Sequence, residues 1–291
     1  MEKTIHKDRV TSPEGLAPAS QESSSTQTSD QTSIQPDARN KIGSFPTFSD
    51  LFFLFGFVVG AQIFSAKMLN ALFAGLLPDD LLLFLSYTIA MGLTVATTLA
   101  FRKARRAKAS AIAFQITSNT FSLVFWGFIA LLSLAVVLEP IQRLLPPIPQ
   151  LIPVSIWGFL SAVIAAPILE EYLCRGIILR SLQDSYSPTR ALVVSSIFFG
   201  LIHLEPAAIV YATGTGLILG WVTIKSHSIG ASILIHMMNN LLNFGALIYL
   251  PNTSFLSDWI PHQAIYWSVI AGGVLLLALS LKKLLKTTQN K

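Results

Sequence analysis

The chain has 291 residues, 52% of them hydrophobic and only 12% charged, with a formal net charge of +5. Soluble domains carry about 25% charged residues, so this balance excludes a disordered chain and an ordinary soluble enzyme, and the single cysteine, Cys174, excludes an intrachain disulfide. The basic residues are not interleaved with stacking aromatics, so no nucleic-acid partner is expected. In an apolar chain their simpler role is as topology signals.

Residues 1–46 read as a polar tail. They hold 11 of the 35 charged residues, with acids and bases nearly cancelling, and the stretch from Thr11 to Pro36 is rich in Ser, Thr, Gln and Pro. Such a composition cannot bury enough apolar surface to offset the entropy of ordering, so a disordered tail is expected. No apolar core follows the basic residues near Met1, and a secretory signal peptide is not expected.

From Phe48 onward the apolar runs are long enough to cross a bilayer, which takes about 20 helical residues. Eight spans are predicted, at 49–77, 81–101, 117–138, 153–181, 189–204, 207–225, 228–250 and 262–282. The fold class is therefore all-α: a polytopic transmembrane helix bundle with a disordered N-terminal tail. Residues 47–140 read as accessory helices, 150–250 as the core, and 251–291 as the last helix with a basic C-terminus. No repeat pairs the two halves, which speaks against the inverted-repeat transporters. With a cytoplasmic N-terminus, the inside segments carry 14 Lys and Arg and the outside loops only Arg143. This bias places both termini in the cytoplasm and supports an even span count.

Ionisable groups at bilayer depth cost at least ~2.5 kcal/mol each and survive where they pair or work. In the fourth span Glu170-Glu171-x-x-x-Arg175 offers an i,i+4 ion pair between Glu171 and Arg175. Glu170 points about 100° away from its neighbour, free to face another centre. In the fifth span Phe199 precedes His203 by one turn. In the seventh, His236 and Asn240 are i,i+4 and share a face, with Asn239 off it. Gly214, Gly216 and Gly220 in the sixth read as a surface for close helix approach. The depths of Glu170, His203 and His236 along their helices allow one shared site. His6, His227 and His262 lie in the tail or at helix ends and read as bland.

Glu170-Glu171-x-x-x-Arg175, Phe199-x-x-x-His203 and His236-x-x-x-Asn240, in that order on successive helices, resemble the CPBP family. This family comprises the CAAX prenyl endopeptidases, the lysostaphin-resistance-protein-A-like proteins and the bacteriocin-processing or immunity membrane proteins. The resemblance covers residues 150–250 and extends to Ala166-Pro167-Ile168 and Ser195-Ser196. Cys174 and Glu205 depart from the usual pattern. Cys174 is i+4 from Glu170, but a buried cysteine is more often inert packing than a nucleophile.

The resemblance implies an intramembrane glutamic endopeptidase acting on a membrane-anchored peptide or protein in the lipid bilayer. Peptide hydrolysis needs a base for water, a group to polarise the carbonyl and an acid for the leaving amine. Under this reading Glu170 is the general base, His203 helps hold the water, and His236 and Asn240 stabilise the oxyanion. Glu171 and Arg175 support the site, and no cofactor is required. A second mechanism uses Glu170, His203 and His236 as a two-His, one-carboxylate zinc set, with Glu171 or a neighbour as base. A non-proteolytic immunity protein and a proton-coupled transporter are the alternatives from other classes. A bacterial cytoplasmic membrane is the expected setting, the sequence sets no oligomeric state, and no motif names the substrate.

Overall fold

In the structure, a computed structural model, residues 45–107, 114, 118–146, 152–250 and 255–287 are described. The chain divides into two units, Met1–Lys41 and Ile42–Lys291, and every described residue belongs to the second. The expected tail up to residue 44 lies outside the described residues, as do residues 147–151.

The described residues form eight helices. They are α1 (Phe48–Phe73), α2 (Asp79–Ala104), α3 (Ser118–Gln142), α4 (residues 156–185), α5 (Pro188–Leu201), α6 (Pro206–Ser226), α7 (Gly230–Tyr249) and α8 (Gln263–Thr287), with no strand named among the described residues. Six of them, all but α4 and α5, are long and apolar enough to cross a membrane unbroken. The chain is thus a multi-pass membrane protein. α4 changes register along its length, and α5, with 14 residues, is about 21 Å long, less than the ~30 Å hydrocarbon core.

Local chemistry sets the helix ends. Asp79 and Asp80 open α2 and Arg102 and Lys103 close it, matching acid to the positive end of the helix dipole and base to the negative end. At the start of α1 the Thr47 main-chain N–H donates to Asp50 Oδ2 at 2.9 Å. Arg105, just past the end of α2, pairs with Asp50 Oδ1 at 2.9 Å and lies over the Phe45 ring. One carboxylate therefore caps α1 and clasps α2 beside it. At the far end of α3 the buried Glu139 accepts from the Tyr266 hydroxyl of α8 and the Ser257 main-chain N–H.

α3 packs along α8 on one side and against α6 and α7 on the other, while α1 and α2 form an antiparallel pair. α4 contacts α2, α5, α6 and α7 and is the centre of the bundle. The outer faces are apolar: Phe52 is 71% exposed and Leu275 67%. In water such faces would mark interaction surfaces; in a bilayer they meet lipid.

Close helix approach depends on glycine where the sequence pattern expects it. A Cβ on Gly216 of α6 would lie 3.0 Å from both Cα and Cβ of Ser196 on α5. The α5–α6 contact therefore has no room for a side chain there.

Candidate functional site

The site grows out of irregularity in α4. Two π-helical segments, Leu160–Ala165 and Tyr172–Leu179, flank one short α-helical segment, Ala166–Glu171. π turns recur at functional sites because they shift main-chain bonds and re-aim side chains. The cause here is legible in Pro167, which has no N–H to give. The Ala166 N–H reaches back five residues to the Ser161 carbonyl, and in that register the Ala162 carbonyl would wait for the N–H that Pro167 lacks. Asn240 of α7 supplies the missing donor, its Nδ2 lying 2.9 Å from the Ala162 oxygen. In the second π segment the Cys174 carbonyl likewise accepts from Ser195 Oγ of α5 at 3.2 Å.

Glu171 and Arg175 sit at the centre, both fully buried. Taking two such charges out of water costs several kcal/mol each unless their hydrogen-bonding capacity is met. Arg175 Nη1 donates to Glu171 Oε1 at 2.7 Å, and Nη2 donates to the Gly216 carbonyl at 3.2 Å. The guanidinium lies 4.2 Å from the centre of the Phe199 ring, a cation–π placement that is favourable where water is absent. The i,i+4 pair expected from the sequence is thus present and anchored on three helices. Phe199 is a floor for Arg175 and meets both His203 and His236 edge-on, with ring centres 5.1 and 5.7 Å away.

His236 is 4% exposed. Its Nδ1 lies 3.1 Å from Glu171 Oε1, the oxygen that Arg175 also holds. A carboxylate can only accept, so this contact places a hydrogen on Nδ1. In the neutral ring Nε2 is then an acceptor. It faces Glu170 Oε2 at 4.0 Å, too far for a hydrogen bond.

The other oxygen of Glu170 has a partner that no motif announced. The Tyr87 hydroxyl of α2 donates to Glu170 Oε1 at 2.7 Å. Glu170 is 8% exposed, so both of its oxygens are directed by protein, one to Tyr87 and one toward His236.

The remaining sequence candidates divide. His203 follows the end of α5, in a turn where Leu204 has φ +64°, a backbone region that costs a branched residue about 1–2 kcal/mol. His203 Nδ1 is 2.8 Å from the Phe199 carbonyl, and the residue bonds neither Glu170 nor His236. Asn240 lies one turn beyond His236 on the face toward α4, as expected, but its amide is spent on Ala162. Asn239, expected off that face, is buried and accepts from the Tyr211 hydroxyl at 2.8 Å. Cys174 is enclosed in the apolar cluster with Leu54, Met91, Leu173 and Phe198. Among the described residues no three His, Cys, Asp or Glu side chains gather as a metal-holding group. Glu170, His203 and His236 therefore do not fit a zinc ligand set in this arrangement.

The span holding these groups also has a relative. Residues 152–242 match the family described as type II CAAX prenyl endopeptidase Rce1-like. They are an Rce1-like domain. The comparisons with curated proteins and with solved structures give no match. The Rce1-like domain opens just before α4 and closes within α7. It thus contains Glu170, Glu171, Arg175, Phe199, His203, His236 and Asn240, while Tyr87 lies outside it. An Rce1-like domain marks a membrane protein of a protease family.

Proposed function

We propose that the chain is an intramembrane endopeptidase that cleaves membrane-anchored peptides with a water molecule activated by Glu170, without a metal ion. The carrying observation is the 4.0 Å gap between Glu170 Oε2 and His236 Nε2, with His236 turned by Glu171 on its other side. One water at about 2.8 Å from both atoms fits that separation with an angle near 90°. It would donate one hydrogen to the carboxylate and one to Nε2, leaving a lone pair for the scissile carbonyl carbon.

On attack the water oxygen bonds to the carbonyl carbon and its proton passes to Glu170. The C–N bond then breaks as Glu170 returns that proton to the leaving amine. His236 is the second acceptor for the water. His203, whose Nδ1 hydrogen is held by the Phe199 carbonyl, would present Nε2 to the oxyanion when its ring is protonated. Loss of one such donor costs about 10²–10³ in kcat. Arg175 neutralises Glu171, so that Glu170 is not forced beside a second uncompensated anion. Asn240 holds α4 at the Pro167 segment. The termini face the cytoplasm in this reading, supported by the excess of basic residues on that side.

The test is cleavage by the purified full chain in detergent. A panel of prenylated and unprenylated membrane-anchored peptides is compared between wild type and Glu170→Gln, with and without a chelator. Cleavage lost in the variant and indifferent to chelator is the expected result. Cleavage abolished by chelator, or undiminished in Glu170→Gln, would overturn the mechanism.

A further inference from the structure

Glu170 has a partner from outside the matched domain. Tyr87 is carried by α2, 83 residues earlier in sequence, and its hydroxyl lies 2.7 Å from Glu170 Oε1. We infer that Tyr87 is a positioning residue for Glu170, its hydroxyl holding one carboxylate oxygen so that the other faces His236. This inference rests on the proteolytic reading above.

Three observations carry it. First, the carboxylate has little else to orient it. The terminal torsion of a glutamate is broad and roughly two-fold, with no strong preference of its own. The nearest guanidinium, Arg175, is committed to Glu171 and Gly216, and His236 stands 4.0 Å off. Second, the distance is that of a charge-assisted hydrogen bond between a hydroxyl and a carboxylate, about 2.5–2.7 Å. The hydroxyl is thus a firm partner for that one oxygen. Third, Tyr87 is itself well held. Its ring packs against the apolar cluster that contains Leu51, Leu54, Cys174 and Phe198, and α2 contacts α4 along residues 156–171, the glutamate pair's own segment included. A tyrosine has two side-chain torsions to fix, so little entropy is lost in holding the hydroxyl still.

Accordingly the catalytic site is not confined to residues 152–242: the helix pair α1–α2 supplies a working part. Nothing in the local sequence flags Tyr87. It stands eight residues into an apolar span, where a tyrosine ordinarily reads as packing, and its role depends on a contact between distant segments.

The experiment uses the full chain in detergent, with the same panel of membrane-anchored peptides. Tyr87→Phe retains the ring and removes the hydroxyl. Its kcat is expected to fall about 10- to 100-fold with KM changed less than about twofold, the loss expected for one charge-assisted hydrogen bond. Thr88→Ala is the control, since the Thr88 hydroxyl bonds its own helix at Phe84, and its kcat is expected to match wild type. A second readout does not need turnover. Thermal unfolding of Tyr87→Phe, Glu170→Ala and the double variant forms a cycle in which each single change removes the contact, followed by a thiol-reactive dye on the single buried Cys174. Non-additive losses would support the contact. Additive losses would overturn it. Coupled stability with unchanged kcat in Tyr87→Phe would overturn the positioning role and leave the protease reading standing. Wild type that cleaves no peptide would overturn the protease reading and, with it, the catalytic part of this inference.

Discussion

Asn240 donates its side-chain amide to the main-chain carbonyl of Ala162 across 2.9 Å. The contact answers a vacancy made five residues along, where Pro167 has no N–H for that carbonyl. A side chain on α7 thus completes the main-chain bonding of α4 at Ala162, eight residues before the glutamate pair begins. Asn240→Leu should leave the Ala162 carbonyl without a donor, a loss of about 1–3 kcal/mol. Thermal unfolding in detergent reads it. Pro167→Ala restores a donor within α4, so the double variant should lose clearly less than the two single losses combined. Additive losses would disconnect Asn240 from the proline.

The Glu171–Arg175 pair predicts a different pattern. Arg175→Met leaves a fully buried carboxylate without its cation, and breaking a buried pair in this way costs about 3–5 kcal/mol. Arg175→Lys should rescue little, because one ammonium cannot serve Glu171, the Gly216 carbonyl and the Phe199 face together. Removing both charges with Glu171→Gln and Arg175→Met should be milder than Arg175→Met alone. The Cys174 thiol, fully buried in the fold, becomes dye-reactive on unfolding and gives the midpoint for each variant.

Much of this was legible from the sequence, for reasons of locality. Hydropathy finds the eight helices, because a chain crossing a bilayer must satisfy most of its main-chain groups within its own segment. The i,i+4 rule finds Glu171 with Arg175 and puts His236 and Asn240 on one face. What stays hidden depends on contacts between segments or on departures from the 3.6-residue period. The π segments of α4 break the period on which face assignments rest, and His203 falls in a turn that begins where α5 ends at Leu201 rather than at 204. Tyr87 and the main-chain partner of Asn240 are long-range contacts with no motif of their own. Asn239 reads as off the working face of α7, yet is buried, because Tyr211 of α6 reaches it from the other side.

Two glycines should respond oppositely to the same change. Gly216→Ala would place a methyl 3.0 Å from the Cα of Ser196, which cannot rotate away, so α5 and α6 must separate. A loss of about 1–3 kcal/mol is expected, with cleavage falling too, since the Gly216 carbonyl that holds Arg175 moves. Gly245→Ala in α7 meets nothing within 4 Å and should gain about 0.5–1 kcal/mol from better helix propensity. Unfolding midpoints of the two variants decide it, and equal shifts would remove the steric account.

The two adjacent glutamates should separate cleanly when each is replaced by glutamine. Glu170→Gln keeps shape and hydrogen-bonding capacity at a residue whose partners are a hydroxyl and, at 4.0 Å, an imidazole. Its unfolding midpoint should stay close to wild type while cleavage falls at least about 10³-fold, the order expected for loss of a general base. Glu171→Gln should lower both. It strips the countercharge from a fully buried arginine, and it removes the carboxylate that keeps the hydrogen on His236 Nδ1. The amide can turn its N–H toward that nitrogen, which reverses the tautomer and turns Nε2 from acceptor to donor. Cleavage and thermal unfolding measured side by side test the division of labour. If Glu170→Gln were the unstable variant and Glu171→Gln the inactive but stable one, the base would be Glu171 and the assignment would be reversed.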